Sequence, residues 1–300
     1  MSEPRSAAAP PLPLERVACA LCGREDARAL LHGRDVRRGL PGSFAVVRCP
    51  GCGLAFVNPR PTRDGIARYY PPDYAPHRAG PPTRREALYY RLFRTPPVPP
   101  GSRVLDVGCG GGRYLLFLRA RGYRVAGVEP NAGVARELRE RFGLETFAGE
   151  LCDVALPAAS FDAVTFWWVL EHTHDPLASL REAHRLLRPA GSLVVALQNF
   201  ASLARHLFGA DWHHLDLPSH LYQFEPRTLA RALEQTGFRV VRLRQDLVAK
   251  DFAPSLGHRL GLSLDGALPN LLALPFDLLA FALGRSGLMT AHARRSGDVG

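Results

Sequence analysis

Arg103-Val-Leu-Asp-Val-Gly-Cys-Gly-Gly-Gly112 opens as a short apolar run and closes in four glycines out of five residues. Apolar residues up to Val107 with a turn behind them read as a buried strand, ending near Cys109. A helix is expected next, over about 112–121. The same grammar repeats downstream. Arg124-Val-Ala-Gly-Val-Glu129 reads as a second strand, followed by a helix over 132–142 that Gly143 stops. Thr146-Phe-Ala148 is a short third strand and Phe161-Asp-Ala-Val-Thr-Phe-Trp167 a fourth. A helix over 176–187 ends at Arg188-Pro-Ala-Gly191, before a fifth strand at Ser192–Leu197. A helix over 227–236 precedes a sixth strand at Phe238–Leu243. Strands alternating with helices predict an α/β, Rossmann-like, doubly wound sheet covered on both faces.

The glycine turn has a specific chemistry. Glycine lets the backbone approach a ligand without a Cβ in the way, and the N-terminus of the following helix offers unpaired N–H groups. Glu129 ends the second strand, 21 residues after Gly108, where a carboxylate can bind both hydroxyls of a ribose. A dinucleotide fingerprint fails here, because the last glycine of G-x-G-x-x-G is replaced by Arg113. Asp106 would repel a pyrophosphate, but it can hold an ammonium group. A ligand with an amino-acid end and a nucleoside end fits both acids, and S-adenosylmethionine is such a ligand.

At this point the chain resembles the class I S-adenosylmethionine-dependent methyltransferases. The matching stretches are Val104–Gly112, Val125-Ala-Gly-Val-Glu-Pro-Asn131, Ser160-Phe-Asp-Ala-Val164, Val169-Leu-Glu-His172, His174-Asp-Pro176 and Arg185-Leu-Leu-Arg-Pro-Ala-Gly191. They occur in family order and cover about 103–245. The resemblance implies that Asp106, Gly108 and Gly110 line the methionine end of the cofactor and that Glu129 holds its ribose. Glu150 and Leu151 would lie near the adenine, and Cys109 and Pro130 complete the cofactor-binding set. Gly287-Leu-Met-Thr-Ala-His-Ala-Arg294 resembles the last, antiparallel strand of the family's sheet.

Upstream, Cys19-Ala-Leu-Cys22-Gly and Cys49-Pro-Gly-Cys52-Gly form a C-x2-C…C-x2-C pattern with 26 residues between the pairs. Each pair can fold as a knuckle, two thiolates on a tight turn followed by a glycine. Two knuckles make a four-thiolate tetrahedral site for Zn2+, closed to substrate and therefore structural. Disulfides or free thiols are the alternatives, and a reducing compartment together with the symmetric spacing disfavours both. The thiols of Cys109 and Cys152 have no such partners and read as packing residues. Cys49-Pro-Gly-Cys-Gly-Leu-Ala-Phe-Val-Asn-Pro-Arg60 followed by Tyr69-Tyr70 resembles a subgroup that carries a zinc ribbon before the methyltransferase domain, with members acting on sugars or other small metabolites. The expected organisation is a disordered Ala/Pro-rich tail over 1–15 and a zinc ribbon over 16–60. A Pro-rich helical connector follows over 61–100, then the methyltransferase domain over 101–300 with an apolar insertion at about 246–285.

Acceptor-site residues should follow strands four and five, because ligands of such sheets sit beyond the strand C-termini. His172 and His174 follow strand four. Asp211-Trp-His-His-Leu-Asp-Leu-Pro-Ser-His-Leu-Tyr-Gln-Phe224 follows strand five and is dense in His and aromatic residues. The catalytic candidates are His220 as base, His172 second, and Tyr222, which with Trp212 can hold a hydroxyl or ring substrate.

The 300 residues are 46% hydrophobic and 22% charged, a composition that excludes a fully disordered chain. Of 38 basic residues only Lys250 is lysine, and of the net charge of +10 residues 1–100 carry +8. An RNA substrate gripped by the basic ribbon is therefore the alternative to a small-molecule acceptor (sugar, quinol or lipid-linked metabolite). No apolar run reaches the ~18 residues of a membrane span, and no secretory signal is present, so the expected location is the cytoplasm. Residues 267–283 (ALPNLLALPFDLLAFAL) are apolar enough for a roof over the substrate or for shallow membrane contact.

Overall fold

The computed structural model describes residues 12–70, 74–247 and 249–296. The chain first forms β1 (Leu14–Glu15), β2 (Arg28–Gly33), β3 (Phe44–Arg48), β4 (Ala55–Val57), β5 (Arg60–Pro61), α1 (Arg63–Ile66) and α2 (Arg84–Phe93). Then follow β6 (Arg103–Val107), α3 (Arg113–Arg119), β7 (Arg124–Glu129), α4 (Ala132–Phe142), β8 (Glu145–Ala148), β9 (Phe161–Trp167), α5 (Pro176–Leu186) and β10 (Leu187–Gln198). The last third holds α6 (Leu203–Phe208), β11 (Tyr222–Gln223), α7 (Pro226–Gln235), β12 (Phe238–Asp246), α8 (Phe252–Leu260), α9 (Ala267–Ala282) and β13 (Leu288–Arg295).

The central sheet has seven strands in the order β12-β13-β10-β9-β6-β7-β8. The five strands from β10 to β8 are parallel, and β13 runs antiparallel to both of its neighbours. β6 lies in the middle with β7 on one side and β9 on the other, so the strand order reverses beside it. A crevice opens there, at the strand C-termini. Local chemistry sets the helix ends. Asn131 accepts from the N–H groups of Gly133 and Val134 to cap α4, and Gly143 (φ 58°) ends it. Asp175 caps α5, with Pro176 at its first position.

A second sheet, β11-β4-β3-β2, joins the cysteine-rich segment to the rest. Its β11 comes from the segment after β10, and Val57 N donates to Leu221 O at 2.8 Å. Arg48 Nη2 also donates to Glu225 Oε1 at 2.6 Å. The N-terminal segment, expected as a ribbon over 16–60, therefore shares a sheet and a hydrophobic core with the methyltransferase portion. The expected tail over 1–15 is corrected at its end: Leu14–Glu15 pairs with Arg60–Pro61, and Arg60 Nε donates to Glu15 Oε1 at 2.8 Å. Residues 1–11 of that tail lie outside the described residues.

Candidate functional site

The turn between β6 and α3 is built on left-handed glycines, with φ of 66° at Gly108, 50° at Gly110 and 71° at Gly112. Such angles suit residues without a Cβ. Gly108 N and Cys109 N both donate to Val128 O, which ties the turn to the end of β7. Glu129 is buried there and accepts from Gly110 N and Asn131 N, each at 2.9 Å. Asp106 is buried at the end of β6, and Thr165 Oγ1 donates to its Oδ1 at 2.6 Å. Burial pushes its carboxyl up to about 7, and the Thr165 hydrogen bond offsets only part of that. A carboxyl in this state gains from a cation placed beside it.

The connector crosses directly over this turn. Gly111 N donates to Pro76 O at 2.7 Å, and Gly80 N donates to Gly111 O at 3.2 Å. The fit leaves no room for a side chain, since a Cβ on Gly111 would lie 2.1 Å from Arg78 O. The connector also brings His77 Nε2 to 3.5 Å from Glu129 Oε1. From His77 a row of rings runs away from the turn. His77 meets Tyr74 (centroids 5.0 Å apart), Tyr74 meets Tyr70 (5.4 Å), Tyr70 meets His172, and His172 meets His220 edge-on at 4.7 Å.

The two histidines present one kind of nitrogen. His220 Nδ1 lies 2.9 Å from His214 O, and His172 Nδ1 lies 2.9 Å from both Ser219 O and Tyr70 Oη. A carbonyl only accepts, so we assign the proton to Nδ1 in each ring, which leaves Nε2 with the lone pair. Burial lowers the pKa of both rings, so they are neutral at pH 7. Between them lies Glu171, fully buried, with neither carboxylate oxygen hydrogen-bonded among the described residues. Burial pushes its carboxyl up to about 8. One donor atom from each of Glu171, His172 and His220 lies within 4.8 Å of the others. Arg37 and Arg38 close the far side through Asp216, at 3.0 and 3.7 Å.

Comparison with known proteins identifies the family. A family model described as a methyltransferase domain matches residues 77–243. The chain belongs to the class I S-adenosylmethionine-dependent methyltransferases. Among curated proteins, the ubiquinone biosynthesis O-methyltransferase of Dinoroseobacter shibae is 35% identical over 166 residues, 52% of this chain and 67% of the relative. The malonyl-[acyl-carrier protein] O-methyltransferase of Serratia marcescens is 31% identical over 44% of this chain and 51% of its own length. Among solved structures, a Mesorhizobium loti S-adenosylmethionine-dependent methyltransferase superposes with a TM-score of 0.50 at 20% identity, over 70% of this chain and 98% of that one. A chain from the complex of the Haloferax volcanii Trm112 methyltransferase activator with a methyltransferase reaches 0.55 at 17% identity, over 79% and 99%.

In the methyltransferase, the other sequence-predicted residues are placed as follows. The four cysteine sulfurs of Cys19, Cys22, Cys49 and Cys52 lie within 4.8 Å of one another. Cys19 Sγ is 3.3 Å from Cys52 Sγ, and Cys22 Sγ is 3.4 Å from Cys49 Sγ, too far apart for disulfides. Both knuckles have the same backbone, Gly23 N donating to Cys19 O and Gly53 N to Cys49 O. Four thiolates at ~2.3 Å from a tetrahedral Zn2+ stand ~3.8 Å apart, close to the spacing of these two pairs. Glu150 faces Arg63 Nη1 at 2.8 Å, and Leu151 is buried beside it. The Cys109 thiol is buried against Gly127, and Pro130 is exposed after Glu129.

Tyr222 and Trp212 are corrected. Tyr222 does not reach the histidine pair. It is buried on β11, where Arg60 Nη1 donates to its hydroxyl at 2.9 Å and the hydroxyl donates to His174 O at 3.2 Å. Trp212 is fully buried, and its Nε1 donates to Asp251 Oδ1 at 2.7 Å. His174 Nε2 is bound to Pro61 O, away from the pair. The sequence reading passed over Glu171, although it is the neighbour of His172, and over Tyr74 and His77, which only the connector's path makes relevant.

Proposed function

We propose that the methyltransferase moves a methyl group to an oxygen or carbon of a small-molecule acceptor held against His172 and His220. The observation that carries this reading is the pair of neutral imidazoles, each with Nδ1 tied to a carbonyl and Nε2 left as a base, around a buried carboxyl. The residues at the glycine turn fit the methyl donor. Asp106 takes its amino group, the turn through Gly108, Cys109 and Gly110 borders the methionine end, and Glu129 takes the ribose hydroxyls. Pro130, Glu150 and Leu151 border the adenine. S-adenosylmethionine, when bound, supplies an electrophilic methyl on sulfur for in-line displacement.

The chain's own part is then to orient the acceptor and remove its proton. His220 Nε2 takes that proton. Glu171, once ionised, balances the imidazolium, and Tyr70 and Ser219 O hold the His172 ring in register. The curated relatives named as O-methyltransferases support an oxygen as the acceptor atom, and the sugar, quinol and lipid-linked classes all offer one. The four cysteines would hold Zn2+ as a structural clamp, since no coordination position is left for substrate.

His220→Ala tests the reading. Transfer should fall by ~10²–10⁴-fold, the usual range for a positioned base, while S-adenosylmethionine binding measured by calorimetry stays unchanged. Transfer at the wild-type rate would remove His220 from the reaction.

A further inference from the structure

We propose that the α8–α9 hairpin docks the protein onto the surface of a bilayer that carries anionic lipid. The argument starts from α9, whose polarity is inverted. Its inward residues are Asn270, Asp277 and Ala280, while Leu268, Leu271, Leu272, Phe276, Leu279 and Leu283 face out. A surface helix of a globular protein does the reverse, burying its apolar stripe. The inward polar groups are used locally. Asn270 Nδ2 donates to Asp265 O and Gly266 O, and Asp277 Oδ1 accepts from Phe252 N. They fix α9 to its base and leave hydrocarbon outside.

The exposed apolar residues concentrate in this hairpin: of 21 large hydrophobic residues exposed among the described residues, 11 lie between Leu256 and Leu283. A concentration of exposed hydrocarbon on one element marks an interaction surface, whereas single scattered residues do not. No helix among the described residues is long and apolar enough to cross a membrane. A 16-residue helix is ~24 Å long, and one with this face fits in the plane of the interface.

Position and charge select the occupant. The hairpin joins β12 to β13, and Asp246, Leu288 and Gln198 stand abreast at its base. It therefore projects from the C-terminal end of the parallel strands, the end where the glycine turn and the histidine pair lie. Beside it, a cleft of about 890 Å³ runs between the loop at 34–42 and the end of α8, with Arg34, Arg37 and Arg38 on one wall and Leu262 on the other. Buried Asp216 pairs with Arg37 and Arg38, so the two guanidinium groups share one carboxylate and the wall keeps a net positive charge, with Arg34 exposed. Asp35 in that loop is turned inward, accepting from the backbone N–H groups of Arg37, Arg38 and Leu40, and Asp265 is the exposed acid of the cleft. Lys250 is exposed nearby, and the chain carries +10 overall. An apolar blade flanked by guanidinium groups matches acyl chains beneath anionic headgroups.

The test is flotation of the full chain with vesicles of phosphatidylcholine alone or mixed three to one with phosphatidylglycerol. The wild type should float with the mixed vesicles, less so at high salt, and stay behind with phosphatidylcholine alone. The double variant Leu271→Glu/Leu272→Glu should lose flotation more than tenfold while keeping its melting temperature and its S-adenosylmethionine affinity, because both side chains are already in solvent. A wild type that stays at the bottom with mixed vesicles overturns the proposal, and equal flotation on both vesicle types overturns its anionic part. A wild-type dimer in sedimentation that the double variant converts to monomer also overturns it, because the patch would then belong to a second copy of the chain.

Discussion

Tyr70 Oη lies 2.9 Å from His172 Nδ1, joining side chains 102 residues apart. The contact places a connector residue behind one of the two histidines proposed to face the acceptor. Tyr70→Phe keeps the ring and its packing but removes the hydroxyl. The loss is about that of one hydrogen bond, ~1 kcal/mol, so kcat should fall about fivefold. KM and S-adenosylmethionine affinity should hold, and steady-state kinetics with calorimetry separate the two. An unchanged kcat would reduce Tyr70 to packing.

Asp106 gives a pH prediction. In the cofactor-free protein, burial holds its carboxyl at about 7. The proposed ammonium partner favours the ionised form, so binding expels the proton. Affinity for S-adenosylmethionine should therefore fall as pH drops below about 7, approaching tenfold per unit. Asp106→Asn should bind ~10–100-fold more weakly at pH 8, the value of a hydrogen bond to a charged group. Its affinity should also be flat with pH. Calorimetry across pH 5.5 to 8.5 reads both effects.

The cysteine cluster is tied to the rest of the protein through β11. If it holds Zn2+, elemental analysis of purified protein should give one zinc per chain. Cys49→Ser should lose that metal and lower the melting temperature, because the second knuckle joins the end of β3 to the start of β4, and β4 carries β11. A metal-free wild type of unchanged stability would contradict the assignment.

Asp251 makes a stability prediction of defined sign. It is buried under Trp212, and burial pushes its carboxyl up to about 7. An unfolded Asp titrates near 3.9. The folded state thus holds the proton more tightly, and the stability this group contributes below pH 4 is lost as pH rises toward 7. The size is of order 3 kcal/mol over that window. The buried histidines act with the opposite sign below about pH 6.5, so the comparison must be between variants. Asp251→Asn keeps an acceptor for the indole and should lose less stability than the wild type between pH 4 and 7 in denaturant titrations. Parallel curves would show that Asp251 does not titrate in this window.

The sheet was legible where burial is complete. Arg124–Glu129 and Phe161–Trp167 are short, mostly apolar runs between turn residues, and the observed strands have those bounds. β2 was not read, because Arg28–Gly33 is largely exposed and has no such run. β11 is two residues long and exists only by pairing with β4. The glycine turn and its two acids were visible as spacing along the chain. Tyr222 and Trp212 were misread because an aromatic side chain on a loop looks the same whether it faces a ligand or the core. Their partners, Arg60 and Asp251, lie 162 and 39 residues away. Tyr74 and His77 became relevant only once the connector was seen to cross Gly111.

The most direct measurement is label transfer. Zinc-loaded protein and its His220→Ala variant would be incubated with methyl-labelled S-adenosylmethionine and a fractionated lysate of the source cells. The account predicts label in the small-molecule or lipid-extractable fraction with the wild type and its loss with the variant. Label that appears in RNA or protein, or that is transferred equally by His220→Ala, would contradict it.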